Sequence, residues 1–588
     1  MKSIFLDAEN KKSKFYISDF CIKDPKILSK KTLLEFKKNV ATNYHWDNDK
    51  KVKKDYLFLN RFIKRKTIEF SRNLNKFHGL RNNEKYWKII IFPWLVTITY
   101  ILFDRWEIIK SLKKKNVFIN AYNYNEIKQV PNQFSDIVFH DKNLNSYIFT
   151  KILEYYKKIK FKKNAFCNYN INYKNSKKSL LTNNSFTFTD IFRNNDYLNN
   201  LLSIIFKFFS FFFKSNYFLK GLAIKQINHI KLNLFLRQFP FIWIEPTYKL
   251  SNINILKRKN FFLKNKRSQS KNFENFFNSI IFALMPKSFL EDYDSIKKSL
   301  FKSYWPKKCK SIVTAYDYKK NDVFQIWCAE MVKKKAKYFI MQHGGNFGSS
   351  EYEIEEDMQL NVADRFLTWG WIGKSKNIKS FQAFQLNLIK KTKLLNNKEI
   401  LICFHTHQKY SYRISSLPKT NFDRLKKIFQ LQTFTKNLDK KLPVCLRYQK
   451  HLYEDIDLEF NKKYFENISY DYSKNYINKI LNYAKIVVHD NDTTTFLESM
   501  FLNVPTILIL DKKIEKFRKS ATKYYKELEK NNILFYDPIE ASNFINKNYD
   551  KLDIWWNGKN LQGARNKFCH KFIKKNSEPF KELKKIIS

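Results

Sequence analysis

From about residue 310 the chain alternates short apolar runs with longer stretches of mixed polarity. The runs at 311–315 (SIVTA), 338–342 (YFIMQ), 366–369 (FLTW), 400–404 (ILICF), 444–447 (VCLR), 486–488 (IVV) and 507–510 (ILIL) are rich in β-branched and aromatic residues. Continuous apolarity of this kind predicts parallel strands covered on both faces. Residues 321–335, 422–438 and the segment after Thr493 read as the helices between them. Alternating strands and helices imply parallel α/β layers. A polar break at 374–399 divides the strands into two sets. The expected architecture is therefore two Rossmann-like α/β domains facing a cleft.

The first hundred residues follow another pattern. Charged and apolar positions mix over 34–64, and 86–110 is a strongly apolar helix. Residues 116–119 and 137–139 read as short strands, 160–200 as irregular surface and 250–275 as a basic loop. The expected division is a helical N-terminal region (1–110), an N-terminal Rossmann-like domain (111–390), a C-terminal Rossmann-like domain (391–540) and C-terminal helices packing back (541–588). The runs at 88–103 and 201–213 fall short of the roughly 20 residues that span a bilayer. They read as buried helices, with an interfacial helix touching an anionic membrane as the second reading.

Composition changes the picture less than its size suggests. The net charge is +56, but only 15 of the 110 basic residues are Arg. Lys, Asn, Ile, Phe and Tyr are abundant together, as an AT-rich coding sequence would favour. Much of the charge is thus solvated surface, and no RNA- or DNA-binding module accompanies it, so no nucleic-acid partner is expected. What survives is a preference for anionic surroundings. The seven cysteines are scattered, odd in number and without C-x-x-C spacing. That argues against a disulfide framework or a zinc site and for a reducing cytoplasm.

Candidate chemistry gathers where strands end. Asp492, Thr493, Thr494 and Thr495 follow a predicted strand and open a helix that Asn503 and Pro505 close. Such a helix start offers free N–H groups and a positive dipole end to a phosphate or carboxylate. Glu498, further along that helix, is placed to hydrogen-bond ribose hydroxyls or is simply an exposed glutamate. Arg447 ends its own strand as a bidentate anion partner or as a solvated arginine. His343, Gly344 and Gly345 follow another strand, and three of only nine glycines fall within five positions there. Glycines let backbone approach a ligand, and His343 suits a base or phosphate donor; the plainer reading is a tight turn with a packed imidazole. In the acidic burst 351–357 (EYEIEED), Glu351 or Asp357 is the candidate to face the cleft as a general base. Trp369 and Trp371 either stack on a ligand or pack a junction. His405 and His407 share one strand face, but no third ligand accompanies them, so neither a metal nor another cofactor is expected.

These blocks resemble a bacterial family of surface-carbohydrate transferases, encoded among polysaccharide and lipopolysaccharide assembly genes and distantly similar to GT-B glycosyltransferases. The matching residues are His78-Gly79, Trp87, Pro93-Trp94-Leu95, Asp104-Arg105, Gln342–Gly345, Asp364 through Trp369-Gly370-Trp371, Thr493–Glu498 and Asn503–Thr506. The resemblance implies transfer of a glycosyl group from a nucleotide-sugar donor to a cell-surface glycan or glycolipid acceptor, without a metal. It implies that Asp492–Thr495 and Arg447 hold donor phosphate, that Glu498 holds the ribose, and that His343, Gly344, Gly345, Trp369, Trp371 and His405 line the cleft. Transfer of a polyol phosphate and nucleic-acid binding are the alternatives.

Overall fold

The computed structural model describes residues 2–5, 16–22, 25–41, 43–112, 117–124, 142–156, 160–167, 196–263, 272–389, 399–404, 410, 414–415, 418–448, 464–465, 468–471 and 480–588. His405, His407, the run 137–139 and the stretches 168–195 and 264–271 lie outside them.

Among these residues, fourteen strands form three all-parallel sheets. The first joins β1 (Lys2–Phe5), β2 (Val117–Tyr124) and β3 (Lys160–Cys167). The second runs in chain order through β4 (Tyr217–Leu219), β5 (Ser311–Thr314), β6 (Lys337–Met341), β7 (Arg365–Thr368) and β8 (Ile378–Ser380). The third holds β9 (Glu399–Phe404), β10 (Val444–Tyr448), β11 (Ser469–Asp471), β12 (Ala484–His489), β13 (Thr506–Ile509) and β14 (Leu534–Phe535). Its order is β11-β10-β9-β12-β13-β14. Counted from β9, that is 3-2-1-4-5-6, the doubly wound order whose reversal between β9 and β12 opens a crevice at the carboxyl ends.

The apolar runs became strands because both of their faces are covered. Ile400, Ile402, Ile486, Val488, Ile507 and Ile509 fill one face of the third sheet, while Leu401, Cys403 and Val487 fill the other. The first sheet corrects the sequence reading. Residues 2–5 pair with β2 rather than belonging to an all-helical region, and 160–167 is a strand rather than irregular surface. Within 250–275, the helix Ile255–Leu263 replaces part of the expected loop.

The helix Glu84–Leu112 is long and apolar enough to cross a membrane, yet its apolar window is 94% buried within the protein. It contacts the helices Asp49–His78, Asp322–Lys333 and Ile354–Val362. The early motif residues stabilise this core. His78 stacks between Trp87 and Tyr293, the Trp87 indole donates to Asn75 at 2.8 Å, and the Asp104 carboxylate accepts from Tyr44 and pairs with Arg105. Leu583 and Ile587 are buried in the second sheet's core, and the Lys574 backbone bridges Trp369 and Ala383.

Candidate active site between two sheet ends

His343 follows β6 and Thr493 follows β12, so both motifs stand at carboxyl ends of parallel strands. The structure brings them into contact. A Cβ on Gly344 would lie 2.8 Å from the Thr494 hydroxyl, and one on Gly345 would lie 2.7 Å from backbone atoms of Asp492 and Thr493. Only glycine allows so close an approach. Gln342 sets the loop: its amide donates to the Gly344 carbonyl at 2.8 Å, and its carbonyl accepts from the Trp371 indole and the Trp369 backbone.

The helix Thr494–Leu502 starts without a side-chain cap. Asn491 instead takes the Thr493 N–H at 3.0 Å and the Thr493 hydroxyl. Among the described residues no protein group accepts from the N–H of Thr494, Thr495 or Phe496. Thr493, Thr494 and Thr495 are all partly exposed. The far end is closed by Asn503 in the left-handed region at φ 61°. The helix mouth is thus touched by the glycine loop on one side, while its orphan donors stay unused.

His343 is nearly enclosed. Its Nδ1 is buried without a partner, and its ring lies 4.4 Å from Tyr316, the residue two places beyond β5. Burial pushes His343 down to about 3, against the attraction of Glu355, so the imidazole is neutral near pH 7. Glu355 lies 3.9 Å from Nε2 and pairs with Lys319 at 2.6 Å.

Glu498 is partly exposed, and burial pushes it up to about 7 against the pull of Arg447. Its charge also reaches Tyr316 and Cys403, so Glu498 stands between the two sheet ends. Arg447 is half-buried and paired with Asp471. Arg447, Glu498 and the helix mouth therefore flank the β9/β12 reversal, with His343, Tyr316 and Glu355 opposite.

Other predicted residues sit elsewhere. From the acidic burst it is Glu355 that meets His343. Glu351 is exposed, with its N–H on the Lys516 carbonyl at 2.9 Å. Asp357 accepts from Tyr56 on the helical N-terminal side, and burial raises it to about 6. The Asp492 carboxylate points away from the mouth, accepting from Tyr525 at 2.6 Å. Trp369 and Trp371 are each 1% exposed, so they pack the loop and present no ring face to a ligand. Tyr316, Glu355 and Lys319 escaped sequence reading. Tyr316 follows an apolar run, and that position was the available signal. Nothing in EYEIEED singles out Glu355. Among the described residues no cluster of three or more His, Cys, Asp or Glu is arranged to hold a metal ion.

Parallel sheets flanked by helices and a doubly wound strand order place the chain among the α/β proteins with a crevice at the switch point of the sheet. The chain belongs to the LIC12162 family of transferases, whose profile matches residues 3–587. No curated protein sequence matches it. A solved structure that it resembles, the glycosyltransferase SnogD from Streptomyces nogalater, is 10% identical across 64% of this chain and 100% of that one, at a TM-score of 0.28.

Proposed function

We propose that this transferase moves a glycosyl group from a nucleotide-activated sugar to a glycan or glycolipid acceptor of the cell surface. The observation that carries the reading is the uncapped helix mouth at Thr493–Thr495, met by the glycines that follow His343, whose Nδ1 is buried without a partner at the end of the other sheet. The contact between loops at the carboxyl ends of two parallel sheets supports reading the chain as GT-B-like.

Departure of the nucleotide breaks the bond from the sugar's anomeric carbon to phosphate oxygen and leaves negative charge on the phosphate. Free N–H groups of the helix mouth and Arg447, released from Asp471, would take that charge. One well-aimed donor at a developing anion is typically worth about 3 kcal/mol. Glu498, mostly protonated below pH 7, can donate to or accept from a ribose hydroxyl. The acceptor hydroxyl must lose its proton as the new bond forms. His343 is the nearest neutral base, and Glu355 at 3.9 Å would stabilise the imidazolium it becomes. An empty-site value of about 3 is low for a base. Bound phosphate adds negative charge beside the ring and raises it.

We place the reaction in the cytoplasm, where nucleotide-sugars are made. Cys309, Cys328, Cys403, Cys445 and Cys569 are free and buried, which suits that compartment. The test is a thermal-shift screen against CMP, UDP, GDP and CDP. A nucleotide at 100 times its Kd adds about 2.7 kcal/mol of apparent stability. That gain should vanish in Arg447→Ala, while His343→Ala should keep nucleotide binding and lose turnover. If no nucleotide shifts the parent, or His343→Ala turns over normally, the reading fails.

A further inference from the structure

The helix Asp196–Phe212 is apolar on two faces. One face packs inward: Phe206 lies 5.7 Å from Tyr304 and 5.9 Å from Phe241, and Phe209 stacks on Phe239 at 5.0 Å. The other face is open. Leu201, Ile204, Ile205, Phe208, Phe211 and Phe212 recur at helical spacing, and Ile204, Phe208, Phe211 and Phe212 are 67%, 61%, 76% and 68% exposed. Soluble proteins scatter single exposed apolar residues, but a continuous stripe of large ones marks a contact surface.

The surroundings say what it contacts. No acidic residue occurs between Asp196 and Glu245, or between Asp294 and Asp317. Those segments carry Lys207 and Lys214 beside the stripe, and Lys302, Lys307 and Lys308 after Phe301, which is itself 78% exposed. The two segments are neighbours, since Tyr304 packs on Phe206 and Lys307 feels the charge of Lys207. Lys307 also lies 5.7 Å from the Phe301 ring centroid. An apolar stripe with lysines beside it and no acidic residue in the two segments that follow fits the interface of an anionic bilayer, where acyl chains take the rings and headgroups take the ammonium groups. A folded protein partner would need an acidic rim around an apolar groove; a bilayer supplies both at once.

We propose that the helix Asp196–Phe212, with Phe301 and the lysines around it, docks the protein on anionic membrane through Ile204, Phe208, Phe211 and Phe212. The helix leads directly into β4, so docking anchors the sheet that carries His343. This inference stands independently of the glycosyl-transfer reading.

The test is flotation of the full chain with vesicles of phosphatidylcholine, with and without phosphatidylglycerol. The parent should float with the anionic vesicles and stay behind with the neutral ones. The triple variant Phe208→Ser, Phe211→Ser, Phe212→Ser should float at least tenfold less, with an unchanged melting midpoint because the rings are solvent-exposed. The pair Lys207→Glu, Lys214→Glu should reduce flotation and flatten its dependence on salt. Three results would overturn the proposal: a parent that does not float, a triple variant that floats like the parent, or a lipid-free dimer that the triple variant dissolves. The last would assign the stripe to a second copy of the chain.

Discussion

Glu498 offers the sharpest check on the electrostatics of the site. Its ordinary value of 4.5 is pushed up to about 7, and burial is the main cause. Between those values the folded protein holds a proton that the unfolded chain has released. The stability tied to this group is therefore full below pH 4.5 and is lost as pH rises through 7. At about 1.4 kcal/mol per decade, the displacement amounts to roughly 3 kcal/mol. Partial exposure of the carboxylate trims this to about 2 kcal/mol. Glu498→Gln keeps the shape and is neutral at every pH. Attraction to Arg447 is already included in the raised value, so losing it needs no separate correction. Glu515, also raised to about 7, is present in both proteins and cancels in the comparison. The expected result is a variant more stable than its parent by about 0.5 kcal/mol at pH 5 and by about 2 kcal/mol at pH 8. Thermal midpoints at the two pH values read this directly. A variant offset from its parent equally at pH 5 and pH 8, or weaker at pH 8, would show that Glu498 is already charged and solvated.

Three further outcomes follow from the packing. Gly345→Ala puts a methyl 2.7 Å from backbone atoms of Asp492 and Thr493, so it should lower stability by about 1–3 kcal/mol and abolish nucleotide-induced thermal shifts; an unchanged midpoint would mean that the two loops do not meet. Gly563→Ala, inside the helix Lys559–Phe572 with nothing within 4 Å of the new methyl, should stabilise by about 0.5–1 kcal/mol, a rise in midpoint being the readout. Trp371→Ala empties a fully buried indole site against Gly348 and frees Gln342, so it should cost about 3–5 kcal/mol in denaturant titration, and a mild effect would instead support a surface role for the ring.

How far the sequence disclosed this fold depends on where each signal originates. A strand covered on both faces must be apolar at every position, so β5, β6, β9, β12 and β13 stood out as unbroken runs. The strands β1 and β3 gave no such signal: KSIF and KFKKNAFC carry lysines. Strand order could not be read at all, because it depends on which crossover packs where. The site divided in the same way. That Thr493–Thr495 and His343–Gly345 stand at strand ends was legible, because capping and small residues follow an apolar run in a fixed local order. Glu355 was not, because its role comes from the helix Ile354–Val362 turning one carboxylate of several toward a loop. Phase within one turn decides this, and four acidic neighbours carry no phase information. Trp369 and Trp371 misled for the opposite reason: an indole beside a glycine looks alike whether it greets a sugar or fills a core.

Glycine carries more information here than in an ordinary chain. A composition biased toward Lys, Asn, Ile and Phe has little room for glycine by chance, and only nine occur in 588 residues. Where one persists, a physical requirement is the natural explanation. Gly344 and Gly345 admit the helix mouth, and Gly348 admits the Trp371 indole, whose atoms would lie 2.3 Å from an added methyl. These three fall in one loop, and that loop also hydrogen-bonds residues 516–518 of the other half through Ser349, Ser350 and Glu351. The loop is therefore a contact tied to residues 516–518 by backbone bonds, not a free lid. A ligand entering the helix mouth must bind beside Gly344 and Gly345 rather than displace them, because displacing them would break the backbone bonds to 516–518 as well. An anion on the Thr494 and Thr495 N–H groups would therefore sit beside Gly344 and Gly345, the residues that follow His343 in the chain.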